Sequence, residues 1–205
     1  STYGPEVQKF EDDLKALTFF KNVIAVNSGT SSIELLARIL IKDSGVGTSK
    51  FCFAVSDYTF IASSNALINA GCCVCPIKCD HFTFSMSPEE LRREIIRGRE
   101  KDHNHISAVL FTLPIGNLPA ELQGINEVCE EFELPLIIDG ASSVGIDFDL
   151  LHNRYKSLKG MILSFNGNKV ITTGAGGAIL TNDSFITEKA REILSLYRTD
   201  KYEHI

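Results

Sequence analysis

Apolar and polar positions along the chain fall into alternating helical and strand-like segments. Val7, Phe10, Leu14 and Leu17 recur at helical spacing with charged residues between them, which predicts an amphipathic helix near the N-terminus. Residues 22–27 read as a strand, and Ser28-Gly29-Thr30 turns it into an apolar helix over 31–41. A buried strand over 51–55, a helix over 59–69 and a cysteine-rich strand follow. Ser87 and Glu90 have capping-box spacing with Pro88 at the first helical position, so a helix is expected from there to about Arg99. The remaining elements are a strand over 106–113, a helix over 121–133, strands over 134–138, 161–165 and 177–181, and a last helix over 185–197.

Most of these strands are apolar throughout rather than on alternate positions. Strands buried on both faces have that composition, so the pattern predicts a three-layer α/β/α fold with a mostly parallel sheet. Ligands in such sheets bind beyond the carboxyl ends of the strands. Several conspicuous residues fall there: Ser28-Gly29-Thr30, Tyr58 to Phe60, Asp139, and Ser164 to Lys169.

Composition narrows the function. The 205 residues suffice for one large domain, and the net charge of -6 argues against a nucleic-acid surface, which needs clustered Lys and Arg. The basic run Arg92, Arg93, Arg97, Arg99, Lys101 is interleaved with Glu and reads as a solvated helix face. No apolar stretch is long enough to span a bilayer and no signal-peptide pattern is present, so the chain reads as cytoplasmic with no membrane partner. Cys72, Cys73, Cys75 and Cys79 cluster in GCCVCPIKCD, but the spacing suits successive strand positions better than a metal site, and disulfides are not expected.

The chemistry centres on Lys169, held in the small-residue loop SFNGNK ahead of the glycine-rich turn 174–177, and on Asp139 at a strand end. A lysine and an acid so placed are what a pyridoxal phosphate (PLP) enzyme needs: the amine forms a Schiff base, and the carboxylate keeps the pyridine nitrogen protonated. The turn at Ser28 to Ser32 adds helix-start amides and hydroxyls suited to a phosphate. Singly, each has an ordinary reading: a surface lysine, a capping acid, a serine-capped helix, a core phenylalanine. Their joint order favours the cofactor.

The ordered motifs NSGTSS, YTFIASSNALINAG, FTFSMSPEEL, IIDGASSVG and SFNGNKVITTGAGGAILTND resemble the DegT/DnrJ/EryC1/StrS sugar aminotransferases, PLP enzymes of fold type I, over nearly the whole chain. The resemblance implies Lys169 as the Schiff-base lysine and acid/base, Asp139 at the pyridinium nitrogen, Phe60 stacked on the ring, and Gly29, Thr30, Ser31 and Ser164 around the phosphate. Ser142 stands where the family has Gln or His near the ring hydroxyl, implying a weaker contact. The family's histidine before Gly116, its proline at Ser56, its acid at Ala175 and its Asn-His-Gly after Arg198 are replaced here.

The implied activity is amination of a nucleotide-linked keto sugar with glutamate as donor, by a homodimer; Lys169 counts against the family's dehydratase branch. Residues 1–205 correspond to the PLP-binding large domain, with the family's small C-terminal domain apparently outside the chain. Other fold type I reactions (lyase, desulfurase, amino-acid transaminase) and a truncated, non-catalytic binding partner are the alternatives.

Overall fold

The structure is a computed structural model that describes residues 4–101, 105–151 and 154–195. Its elements in chain order are α1 (Pro5–Thr18), β1 (Asn22–Val26), α2 (Gly29–Ser44), β2 (Cys52–Ser56), α3 (Ile61–Asn69), β3 (Cys73–Ile77), α4 (Pro88–Lys101), β4 (Ile106–Thr112), α5 (Glu121–Phe132), β5 (Leu136–Asp139), β6 (Leu158–Ser164), β7 (Gly177–Thr181) and α6 (Ser184–Leu194). Short 3₁₀ turns at Thr48–Lys50, Pro114–Gly116 and Phe148–Leu150 were not foreseen in the sequence. The end of the expected last helix, beyond residue 195, lies outside the described residues.

The seven strands form one sheet in the order β1-β7-β6-β5-β4-β2-β3. β2 to β6 pair in parallel, whereas β7 runs antiparallel to both β1 and β6. The connection from β6 to β7 contains no crossover helix, which is why β7 can reverse.

Strand side chains alternate between two cores. Val109, Phe111, Leu136, Ile138, Met161 and Leu163 face one layer built from α1, α4 and α5. Ala108, Leu110, Ile137, Ile162 and Ile179 face the other, built from α2, α3 and α6. Because both faces are covered, the central strands need apolar residues at every position, and each full burial of an aliphatic side chain stabilises by about 1.5–3 kcal/mol. The three-layer α/β/α fold is therefore the one the sequence pattern implied.

β3 is the exception. It pairs only with β2 and is largely half-buried, and this edge position tolerates Pro76, which has no N–H to donate to a ladder. All six cysteines are free thiols: Cys52, Cys72 and Cys129 are buried, and Cys73, Cys75 and Cys79 are half-buried.

The capping box at Ser87 forms only in part. Ser87 Oγ accepts from the Glu90 amide at 3.2 Å, but the Ser87 amide donates to the Lys78 carbonyl at 3.1 Å, and the Glu90 carboxylate pairs with Arg93 instead. The basic face of α4 is engaged within the fold: Arg92 pairs with Glu131 and Arg97 with Glu94, and Arg99 lies over the Phe132 ring at 4.8 Å.

α1 is fastened to the far edge of the sheet by an ion pair. Glu11, 1% exposed, accepts from the Ala25 amide at 2.8 Å and from Arg191 of α6 at 2.9 and 2.5 Å.

Candidate active site

Loops at the carboxyl ends of β1, β2, β4, β5 and β6 converge on one cavity of about 300 Å³, at the lower end of the size range of small-molecule sites. The cavity lies where open parallel sheets bind ligands.

The first wall is the start of α2. Ser28 caps the helix, accepting from the Ser31 amide at 3.1 Å, and Gly29 and Thr30 line the cavity. The first amides of a helix have no intrahelical acceptor, so this turn is suited to an anion. Ser31 is committed elsewhere: its hydroxyl lies 2.9 Å from Ser28 Oγ, and it is not among the lining residues. Two glycines set the closeness of this wall. A Cβ on Gly177 would fall 2.4 Å from the Ser28 carbonyl carbon, and one on Gly29 would fall 3.0 Å from Ser164 Cβ. Ser164, 6% exposed at the end of β6, completes the cup.

The second wall carries the acid. Asp139 ends β5 and is 5% exposed. Its Oδ2 accepts from Ser63 Oγ at 2.5 Å and its Oδ1 from the Ala141 amide at 3.1 Å. Burial raises the carboxyl pKa above its ordinary value of 3.8; the Ser63 and Ala141 hydrogen bonds and the charge of Lys169 act against that rise.

Lys169 closes the opposite side. Phe165 begins its loop, with a buried side chain packed edge-on against Phe10 of α1 at 5.2 Å. The Phe165 amide donates to the Gly176 carbonyl at 2.9 Å, and the Phe165 carbonyl accepts from Thr173 at 3.1 Å. The loop is thereby closed at its base, and the Lys169 amide bonds the Asn166 carbonyl at 2.9 Å. Lys169 Nζ donates to Ser142 Oγ at 3.2 Å.

Gly116 allows the Ser142 backbone to lie close: its φ of +76° suits glycine, and a Cβ there would come 2.4 Å from the Ser142 carbonyl oxygen. Phe60 lies on the rim with 73% of its surface exposed. Tyr58 stacks on Phe84 at 5.0 Å and does not line the cavity.

Of the residues singled out in the sequence, Gly29, Thr30, Phe60, Asp139, Ser142, Ser164 and Lys169 share this cavity. Ala175, itself an altered family position, and Leu113, close to the altered position before Gly116, line it too, while the altered segment 196–200 lies outside the described residues. Ser63, Thr59, Thr112, Asn166 and Asn168 also line it and were not assigned roles from sequence. Thr59, Asn166 and Asn168 fall inside the segments flagged at strand ends; Thr112 ends β4, so the same rule could have found it, whereas Ser63 meets Asp139 across 76 positions of chain.

These residues fit PLP. A desolvated acid needs a cationic partner, an exposed aromatic face awaits a ring, a glycine-lined helix start awaits a phosphate, and an amine faces the same space.

Known proteins agree with this class. The structure superposes on Helicobacter pylori PseC, an aminotransferase involved in the biosynthesis of pseudoaminic acid, with a TM-score of 0.81 at 22% identity, covering 98% of this chain and 51% of that one. The fold is thus that of the fold type I PLP aminotransferases. A sequence model of the DegT/DnrJ/EryC1/StrS aminotransferase family matches residues 1–204, and the chain belongs to that family.

Among curated relatives, EpsN of Bacillus subtilis (strain 168), assigned as a pyridoxal phosphate-dependent aminotransferase, is 32% identical over 204 residues, covering 98% of this chain and 50% of EpsN. GDP-perosamine synthase of Vibrio cholerae is 25% identical over 191 residues, 92% of this chain and 48% of the synthase. The chain spans about half the length of the curated relatives it matches.

Proposed function

We propose that the protein is a PLP-dependent aminotransferase that transfers an amino group from an amino acid, glutamate, to a nucleotide-linked keto sugar, and that residues 1–205 are its cofactor-binding large domain. The observation that carries this reading is the placement of Lys169 and Asp139 around one cavity beside the α2 cup. GDP-perosamine synthase among the relatives supports the sugar substrate.

Bound PLP supplies an aldehyde that captures amines and a ring that accepts the electron pair left when a proton is removed. Gly29, Thr30 and Ser164 would hold its phosphate, with Ser31 supporting the turn through Ser28. Phe60 would cover one ring face, and Asp139 would keep its negative charge at the ring nitrogen. Lys169 Nζ would hold the cofactor as the Schiff-base amine and would serve as the acid/base that moves the proton between the donor's Cα and the cofactor. Ser142 keeps Nζ oriented during these transfers.

A homodimer is part of the proposal. Phe60, Ile61, Phe82, Val170 and Ile171 are each more than half exposed; Phe60 and Ile61 stand at the start of α3 and Val170 and Ile171 follow Lys169, beside the cavity. So much exposed apolar surface is usual for an interface. A cytoplasmic location is likewise proposed; among the described residues no helix is long and apolar enough to cross a membrane.

The test is the separated half-reactions. Protein loaded with PLP and mixed with glutamate should release 2-oxoglutarate once per site, and the resulting aminated form should be consumed by a nucleotide keto sugar. Turnover with cysteine or alanine but not with glutamate and a keto sugar would move the assignment to another fold type I reaction.

A further inference from the structure

We propose that Ser63 is a positioning residue of the site: together with Thr59 and Thr112 it holds the Asp139 carboxylate as a fixed acceptor for the cofactor's ring nitrogen. The proposal rests on the PLP reading above.

Ser63 is the third residue of α3 and is 2% exposed. From there its hydroxyl reaches the end of β5 and meets Asp139 Oδ2 at 2.5 Å, the length of an O–H···O bond to a charged acceptor. A hydroxyl has one proton, so its direction matters. Thr59 Oγ1 donates to Ser63 Oγ across a long 3.4 Å, and Thr59 Oγ1 lies 2.8 Å from Thr112 Oγ1. With the Thr59 proton given to Ser63, Thr112 is left to donate to Thr59, so Thr59 and Ser63 each receive from one side and give on the other, ending at Asp139. The Ser63 proton is thereby committed to the acid.

The consequence is orientation as well as charge. Ser63 occupies Oδ2 and the Ala141 amide occupies Oδ1, so the carboxylate cannot turn without breaking one of them. Lone pairs remain on both oxygens for a donor in the cavity. Burial opposes the ionised form, and the Ser63 bond is first among the influences that restore it.

The experiment follows Asp139 directly by ¹³C NMR of carboxyl-labelled aspartate in cofactor-free protein, with D139N assigning the resonance. Replacing Ser63 by alanine should raise the Asp139 titration midpoint by about one pH unit, a tenfold change in proton affinity. Ser63→Thr, which keeps the hydroxyl, should return it to the wild-type value. Should S63A fail to fold, Ser63→Cys provides the same readout, because a thiol keeps the shape and is a weak donor. An unshifted midpoint in a folded S63A or S63C protein overturns the proposal, as does a shift that S63T shares.

A separate arm measures covalent PLP loading of wild type after borohydride reduction. Absence of loading with the expected NMR shifts refutes the cofactor reading and leaves the Ser63–Asp139 relationship standing. Normal loading with no NMR shift refutes the Ser63 proposal alone.

Discussion

Lys169 Nζ donates to Ser142 Oγ at 3.2 Å, which ties the loop after β6, bearing the amine, to the loop that follows Asp139 at the end of β5. The hydroxyl at position 142 thus serves the lysine directly. A hydrogen bond of this kind contributes about 0.5–1.5 kcal/mol net. Ser142→Ala should therefore still form the PLP adduct at Lys169, with its rate of formation changed by less than about tenfold. Stopped-flow absorbance of loading checks this, and complete loss of the adduct would give Ser142 a larger role.

Asp139 predicts an unusual pH dependence. Its carboxyl pKa is raised in the folded protein, so the native state holds the proton more tightly than the unfolded chain. Stability is lost as pH rises from the ordinary 3.8 through the raised folded value, and the cost persists above it. Asp139→Asn removes that pH-dependent cost; its single carbonyl oxygen can accept from Ser63 or from the Ala141 amide but not from both, a loss that does not vary with pH. The melting temperature of cofactor-free D139N relative to wild type should therefore rise as pH increases from 3.8 toward neutrality. A difference that stays constant or falls over that range would contradict this.

Gly177→Ala tests the closeness of the phosphate cup. The new Cβ would fall 2.5 Å from the Ser28 carbonyl oxygen and 2.6 Å from the Gly29 amide nitrogen, so backbone must move. Overpacking of this kind costs about 1–3 kcal/mol. The urea midpoint should drop accordingly, and inorganic phosphate should compete with PLP loading about tenfold less well, equivalent to ~1.4 kcal/mol of binding.

The Glu11–Arg191 pair should show an asymmetry. Arg191→Ala strands the carboxylate of a residue only 1% exposed and should cost about 3–5 kcal/mol. Glu11→Ala leaves an arginine whose side chain is 38% exposed and can reach water, so its loss should be about 2–3 kcal/mol. Denaturant unfolding of the two variants gives the order, and the reverse order would contradict the geometry.

These two residues also mark where sequence reading stops. The layers were legible because strands covered on both faces must be apolar at every position, and the cavity was legible because Asp139 and Lys169 sit at strand ends within recognisable motifs. The reversal of β7 was not: Gly177–Thr181 is buried at all five positions, as a parallel core strand would be. Only the helix-free link from Ser164 carried the signal. Glu11 and Arg191 are 180 positions apart, and Ser63 looks like any small residue on a helix, so neither contact leaves a local pattern. The start of α2 was placed two residues late because its Ser28 cap leaves Gly29 helical, against that residue's propensity.

The central claim is that Lys169 holds the cofactor. Incubation with PLP, reduction with borohydride, digestion and mass spectrometry test it most directly. The prediction is one phosphopyridoxyl group per chain, on Lys169, absent from Lys169→Ala and abolished by excess inorganic phosphate. Labelling spread over surface lysines, or unchanged in Lys169→Ala, would contradict it.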